Sequence, residues 1–384
     1  MSQQKVMTVY GTRPEAIKVA TVIEALERDD RFESIAVVTG QHREMLHQVN
    51  TMFGITPKHD LALMKAGQSL NGMISRAISG LDELIAAERP DIVIVQGDTS
   101  TAMAAALSAF NRQVTVVHLE AGLRTGNIDS PFPEEANRKL IGQVAKLHLA
   151  PTKGSRDNLL HESVEPATIA VTGNTVIDAL LEASSWDTVP SDPDVARALQ
   201  SGRPIILATT HRRENLGHSM DAIGRALARL AKKHADHIVI LPVHGNPAVR
   251  DAVLPHLQGK ENVIVTEPLP YAEFTKVMAA ARIILTDSGG VQEEAPSLGK
   301  PVLVMRDNTE RPEAVEAGTV RLVGTDYDRI VFEANHLLHD ADAYAAMANA
   351  VNPYGDGRAS ERAVAAIAAL LGCGERLPDF SPAH

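Results

Sequence analysis

The chain has 384 residues, 44% hydrophobic and 22% charged, so it can build more than one core with a cleft between domains, and collagen-like or wholly disordered readings are excluded. Lys and Arg number 37 against 48 Asp and Glu, a net charge of −11, and aromatic residues are only 3%. The surface as a whole therefore repels phosphate, nucleic acid is not an expected partner, and any anionic ligand must be held by a local arrangement of groups.

Short apolar runs then recur along the chain. The first series is Lys5–Gly11, Ser34–Gly40, Asp91–Gly97, Val114–Leu119, Leu147–Pro151 and Thr168–Gly173, and the second is Pro204–Thr210, His237–Val243, Asn262–Glu267, Ala281–Thr286, Lys300–Met305 and Val320–Gly324. Runs of about 4–8 residues, rich in Val and Ile and alternating with helical spacing, predict parallel strands buried on both faces. The fold class is α/β, twice over, with domains over 1–175 and 176–357 and the turn-rich stretch Glu182–Pro204 at their junction. Ala359–Leu371 combines strong helix formers with an apolar stripe and predicts a terminal helix. A single cysteine, Cys373, suits a reducing compartment. No segment approaches about 18 uninterrupted apolar residues, and the N-terminus lacks a signal-peptide pattern, so a cytoplasmic protein without membrane contact is expected.

In open parallel sheets ligands bind beyond the carboxyl ends of the strands, and those positions are polar here. The first run leads into Gly11-Thr12-Arg13-Pro14-Glu15-Ala16-Ile17-Lys18, where Arg13 and Lys18 can face a ligand, although a routine strand-to-helix turn explains the segment as well. Asp98 and Glu120 follow consecutive runs. A helix cap is the competing reading of Asp98, whereas a glutamate at the edge of a buried strand is costly unless paired or working. Glu134 and Arg138 share a helix face at i,i+4, which allows an exposed ion pair, and the helix dipole favours ionised Glu134. His211 stands among arginines that should disfavour its protonated form, leaving a neutral imidazole for proton transfer. His211 and His244 lack the H-E-x-x-H spacing or cysteine partners of a zinc site, so no metal is expected. In Thr286-Asp287-Ser288-Gly289-Gly290-Val291-Gln292-Glu293-Glu294 a strand ends, two glycines permit close approach and a helix begins. Amide groups and the Ser288 hydroxyl can meet a diphosphate there, with Glu294 one turn on to accept from a ribose. Neither G-x-x-x-x-G-K-[ST] nor G-x-G-x-x-G occurs after a strand, which weighs against triphosphate hydrolysis and nicotinamide binding.

Taken together, Gly11-Thr12-Arg13-Pro14-Glu15, Gln96-Gly97-Asp98-Thr99, the stretch from His118 to Gly126, Pro133-Glu134-Glu135-Ala136-Asn137-Arg138, His211-Arg212-Arg213-Glu214-Asn215, Thr286 to Gly290 and Glu310-Arg311-Pro312-Glu313-Ala314 resemble the non-hydrolysing UDP-N-acetylglucosamine 2-epimerases of bacteria. The resemblance implies two Rossmann-like domains facing a cleft, the glycosyltransferase B arrangement, with a C-terminal helix at about 358–384 packing back on the first domain. It implies a homodimer and no cofactor. By motif position, Ser288, Gly289 and Gly290 would hold the diphosphate with Arg13, Glu294 the ribose, and Phe274 would lie near the uracil. Lys18, Arg138 and Arg311 match charged positions of the family's cleft, and Asp98, Glu120, Glu134 and His211 match its catalytic set. Gln41 and His244 fit an allosteric site for a second UDP-N-acetylglucosamine, although Gly67 and Gly245 replace larger residues there.

The chemistry accounts for that inventory. Carbon 2 of the sugar is not adjacent to a carbonyl, so simple proton abstraction fails. Expelling UDP from carbon 1 makes carbon 2 acidic, giving 2-acetamidoglucal, after which a proton and UDP return. That route needs a grip on diphosphate and acid/base groups on two faces of one carbon. The rival readings are a hydrolysing epimerase, a glycosyltransferase of the same fold, a nucleotide-sugar sensor, and an epimerase acting on a related UDP-sugar.

Overall fold

A computed structural model describes residues 3–40, 43–63, 67–212, 215, 217–309 and 311–382. The chain divides into two compact units, one built from residues 1–179 with 354–381 and the other from Leu180–Pro353. Every apolar run becomes a strand, and every strand pairing is parallel.

The first unit holds β1 (Gln4–Tyr10), β2 (Phe32–Val38), β3 (His59–Asp60), β4 (Ile92–Gln96), β5 (Thr115–Leu119), β6 (Leu147–Ala150) and β7 (Ile169–Val171). Their order in the seven-stranded sheet is β3-β2-β1-β4-β5-β6-β7. Five of these strands are short hydrophobic runs buried almost throughout, as parallel strands covered by helices must be. Strand β3 has no apolar run; it forms only because Val37 and Val38 of β2 give His59 and Asp60 a register to pair with. On one face Met7, Val9, Ile35, Val93 and Val95 pack with Leu81 and Ile85 of the helix Leu70–Glu88 and with Ala102, Ala105 and Ala109 of the helix Ser100–Asn111. Alanines let that helix approach its neighbours closely.

The C-terminal helix Ala359–Leu370 belongs to this first unit and packs on the helix Arg13–Glu27, with Thr21 and Ser360 sharing a hydroxyl hydrogen bond of 2.7 Å. Its own N-cap residue supplies no side-chain bond. Asp178 takes over that role, accepting from the amides of Ala359 at 3.1 Å and Ser360 at 2.8 Å. Farther on, the Phe380 amide donates to the Val171 carbonyl at 2.7 Å and the Val171 amide to Asp379 at 3.1 Å, so the tail covers part of the edge strand β7.

The second unit holds β8 (Ile205–Thr209), β9 (Ile238–Pro242), β10 (Val263–Thr266), β11 (Ala281–Thr286), β12 (Val302–Val304) and β13 (Val320–Leu322) in the order β10-β9-β8-β11-β12-β13. Ile206, Val239, Leu241, Ile283, Leu285 and Leu303 pack with Ile223, Leu227 and Leu230 of the helix His218–Lys233 and with Ile330, Ala334 and Leu337 of the helix Tyr327–His339. In each sheet the winding direction reverses once, between β1 and β4 and between β8 and β11. At such a switch point the two loops leave in opposite directions and open a crevice at the carboxyl ends. Among the described residues no helix is long and apolar enough to cross a membrane.

Ile367 is fully buried in the C-terminal helix. Its truncation to alanine is expected to destabilise the first unit by about 2–5 kcal/mol, read as a lower urea midpoint in equilibrium unfolding.

Candidate active site

In the first unit the switch-point loops are tied together by a carboxylate. Thr12 caps the helix Arg13–Glu27 in a reciprocal capping box with Glu15. Glu15 is 2% exposed and accepts from the Gly11 amide at 2.9 Å, the Thr12 amide at 2.7 Å and the Thr99 hydroxyl at 2.6 Å. Burial pushes its carboxyl above the usual value of 4.5, and these hydrogen bonds partly offset the rise. The loop after β1 is thereby joined to the loop after β4. Gly11 has no room for a side chain, since a Cβ there would lie 2.2 Å from the Thr39 hydroxyl.

Asp98 sits at the end of β4. The cap of the following helix is Thr99, so the competing reading of Asp98 as a helix cap does not hold. Its carboxylate is gripped by Arg138 through Nε at 2.9 Å and Nη2 at 2.6 Å, and its carbonyl accepts from the Asn137 side chain at 2.9 Å. The i,i+4 pair of Glu134 with Arg138 suggested by spacing is also absent among the described residues. Arg138 turns instead to Asp98 and to Glu135, 3.0 Å away, because Glu135 is fully buried and needs a cation. Glu135 further accepts from the amides of Thr125 at 3.1 Å and Gly126 at 3.2 Å. Glu134 begins the helix Glu134–Val144 half-buried, and its carboxylate has no hydrogen-bond or ion-pair partner among the described residues.

Glu120 follows β5 with φ at 63°, in the left-handed region. A non-glycine residue there costs about 1–3 kcal/mol and persists only where its surroundings over-determine it. Those surroundings are Lys18, which donates to Oε1, Asn174, which donates to the same oxygen at 3.1 Å, and Gln96, which donates to Oε2 at 2.5 Å. Next to it His118 is buried, with Nε2 at 2.8 Å from the Gly97 carbonyl. Burial holds its pKa down at about 3, so it is neutral near pH 7 and donates from Nε2, fixing the glycine that precedes Asp98. Arg13 is half-buried at the first helical position after the Thr12 cap.

In the second unit Asp287, fully buried at the end of β11, organises the loop after β8. It accepts from the Thr210 hydroxyl at 2.9 Å, the His211 and Arg212 amides, each at 3.0 Å, and the Asn215 side chain at 3.2 Å. His211 Nδ1 lies 3.1 Å from its carboxylate. Burial acts to raise the Asp287 carboxyl, but His211 and the two amides outweigh it and hold the group below the usual 3.8. His211 thus faces a carboxylate. An Nδ1–H donated to Asp287 leaves Nε2 as the working nitrogen, in a side chain 40% exposed. Its ring centroid is 6.0 Å from that of His244. His244 is exposed, with Nδ1 accepting from the Asn246 amide at 3.1 Å. Gln41, with Arg213, Glu214 and Glu310, lies outside the described residues.

Ser288 is the N-cap of the helix Gly289–Glu294, its hydroxyl uncommitted to the cap. Arg311 bonds Glu293 through Nε at 2.6 Å and lays its guanidinium across Gly289, where a Cβ would come within 2.7 Å of it. Only glycine admits the cation this close to the loop backbone. Glu294 is buried, and the Tyr271 hydroxyl donates to it at 2.9 Å. Phe274 stands one turn beyond Tyr271, half-buried on the same helix, Tyr271–Ala280. Sequence reasoning passed over Asn174, Glu135, Tyr271 and Asp287. Asp287 and Glu135 lay inside quoted motifs, while Asn174 and Tyr271 carried no signal beyond standing near strand ends.

A family model described as "UDP-N-acetylglucosamine 2-epimerase" matches residues 24–368. The chain is 52% identical over 372 residues to the Escherichia coli K12 UDP-N-acetylglucosamine 2-epimerase, covering 94% of this chain and 98% of that one. The solved Neisseria meningitidis UDP-GlcNAc 2-epimerase bound to UDP-GlcNAc superposes with a TM-score of 0.85 at 45% identity, over 96% of this chain and all of that one. The Staphylococcus aureus protein MnaA, solved with UDP, gives 0.87 at 44% identity over 99% of this chain and all of that one.

Replacing Asp287 by Asn tests the acceptor role. A carboxyl whose folded value is depressed lends stability that is present above its unfolded value and lost as pH falls through the folded one. Asp287→Asn is expected to lower stability by about 1.5–3 kcal/mol at pH 7, and the gap in denaturant midpoint should close as the pH is taken below 3.8.

Proposed function

The chain belongs to the UDP-N-acetylglucosamine 2-epimerase family, and from that premise we propose that it interconverts UDP-N-acetylglucosamine and UDP-N-acetylmannosamine without net hydrolysis. The observation that carries the reading is the pair of carboxylates, Asp98 and Glu120, at the ends of adjacent strands β4 and β5, each held by named cations or amide donors.

UDP leaves carbon 1 of the sugar, and the bonding electrons depart on the diphosphate. Ser288, Gly289 and Gly290 hold that diphosphate, with the guanidinium of Arg311 beside the loop, and Arg13 is a further cation for it. Glu294, oriented by Tyr271, accepts from the ribose hydroxyls, and Phe274 lies against the uracil. As positive charge develops at carbon 1, the proton on carbon 2 becomes acidic and a carboxylate removes it, giving 2-acetamidoglucal. A proton then returns to the other face of carbon 2, and UDP rejoins carbon 1. Asp98, Glu120, Glu134 and His211 are the acid/base set; Lys18 and Arg138 orient Glu120 and Asp98. No redox step enters this sequence, so it asks for no nicotinamide. The reading extends to a cytoplasmic homodimer and to a second UDP-N-acetylglucosamine at Gln41 and His244, a site weakened by Gly67 and Gly245.

Incubation with UDP-N-acetylglucosamine in deuterated water, followed by NMR, is expected to give both epimers with deuterium at carbon 2 and little free UDP. Stoichiometric UDP and free N-acetylmannosamine would establish hydrolysis instead, and absence of exchange would remove the epimerase reading for this substrate. Asp98→Asn and Glu134→Gln are each expected to lower exchange at least about 100-fold while calorimetry finds UDP affinity within a few-fold of wild type; parallel loss of binding would reassign both residues to substrate binding.

A further inference from the structure

A cluster of histidines that the reaction does not use lies at the amino end of β9, the opposite end of the second sheet from His211 and Ser288. The helix His218–Lys233 stops at His234, and the turn His234-Ala235-Asp236-His237 leads into the strand. That turn is held from several sides. The His237 amide donates to the His234 carbonyl at 3.0 Å. Arg203 donates to the carbonyls of Ala235 at 2.7 Å, Asp236 at 3.1 Å and His237 at 3.0 Å, and Asn262 donates to those of His234 at 3.2 Å and His237 at 3.1 Å. The side chains are therefore carried on a rigid frame.

One nitrogen or oxygen from each of His234, Asp236 and His237 lies within 4.8 Å of the other two. The His234 ring centroid is 5.2 Å from that of His237 and also 5.2 Å from that of His339. Two imidazoles on one tetrahedral ion, with metal–nitrogen bonds of about 2.0–2.1 Å, bring their centroids to about 5 Å. Asp236 Oδ1 is 3.0 Å from His237 Nδ1, near the edge length of such a tetrahedron. The surroundings resemble an outer shell as well. Asn335 accepts from His234 Nε2 at 2.7 Å through its side chain and from His339 Nδ1 at 2.8 Å through its carbonyl, which orients both rings and leaves His234 Nδ1 and His339 Nε2 for another partner.

We propose that this turn binds a divalent transition-metal ion of the zinc class, with His234, Asp236 and His237 as ligands. Imidazole and carboxylate without thiolate suit zinc, nickel and copper better than magnesium or calcium. Lys233 and Arg203 add positive charge nearby and temper the affinity. Bound there, the ion ties the end of the helix His218–Lys233 to the start of β9 and stabilises the second unit by mass action.

The test uses the full chain without a polyhistidine tag, stripped with chelator, dialysed, and titrated with zinc chloride and separately with cobalt chloride. One ion per chain is expected, with the visible absorption of tetrahedral cobalt and a thermal midpoint that rises with zinc. Asp236→Asn, at an exposed position, and His237→Gln should each weaken binding by at least about tenfold and abolish the thermal shift, while epimerase turnover in chelator is unchanged. His161→Ala, at an exposed histidine elsewhere, should bind as wild type. Failure of the wild type to bind, or equal binding by both ligand variants, would overturn the proposal.

Discussion

Taking carboxylates out of water is the constraint that organises both units. Glu15, Glu135, Asp178, Asp287, Glu293 and Glu294 are all buried, and an unpaired carboxylate in such a place would cost several kcal/mol each. Each one has been given donors, and for Glu15, Glu135, Asp178 and Asp287 these include amides of loops and helix ends that would otherwise be orphaned. Glu15 closes the first helix onto the loop after β4; Asp287 collects the loop after β8; Asp178 caps the C-terminal helix from outside it. The polar ends of the strands are thereby as fixed as the apolar middles.

These acids fall into two kinds. Glu15 and Asp287 are surrounded by three or more donors from the backbone and hydroxyl groups of a single pair of loops, and their work is to hold those loops still. Asp98 and Glu120 are held by longer side chains, Arg138, Lys18, Gln96 and Asn174, that reach in from other elements. Such partners set the orientation of an acid, yet can share it with a substrate. The backbone strain at Glu120 belongs to the same arrangement. Turning the residue into the left-handed region aims its side chain back beside Gly97, a glycine whose φ of 66° carries no steric cost.

The strands were legible because burial on both faces writes itself into consecutive residues. All twelve long enough to need a core appear as apolar runs, and the one overlooked, β3, is two polar residues whose pairing depends wholly on β2. The motif residues were legible for a related reason, since strand ends in parallel sheets have a known address. What the sequence did not disclose was pairing at a distance. Spacing put Arg138 opposite Glu134, one turn away, but the fold offers it Asp98, 40 positions earlier, and the fully buried Glu135. Arginines adjacent in sequence suggested one environment for His211, while Asp287, 76 positions later, supplies another. Asn174 and Tyr271 escaped notice because nothing local marks a residue whose importance is the carboxylate it orients.

The net charge of −11 takes on a different meaning once these pairings are known. A surplus of acids spread over the surface would only repel an anionic nucleotide, screened beyond about 10 Å by salt. Some of the acids here, Glu15, Glu135 and Asp287 among them, instead lie inside, held by amides, hydroxyls and specific cations, and several lie at the strand ends where the anion is proposed to bind. Arg311 illustrates the balance: Glu293 holds its Nε, and the absence of a side chain at Gly289 lets the guanidinium rest against the loop. The carboxylate lowers the net positive charge of the loop but removes the arginine's conformational freedom, so the cation is already in position for the diphosphate of the proposed reaction. Ordering it in advance would remove part of the entropy cost of the proposed binding, a local device that the overall sign of the chain does not oppose.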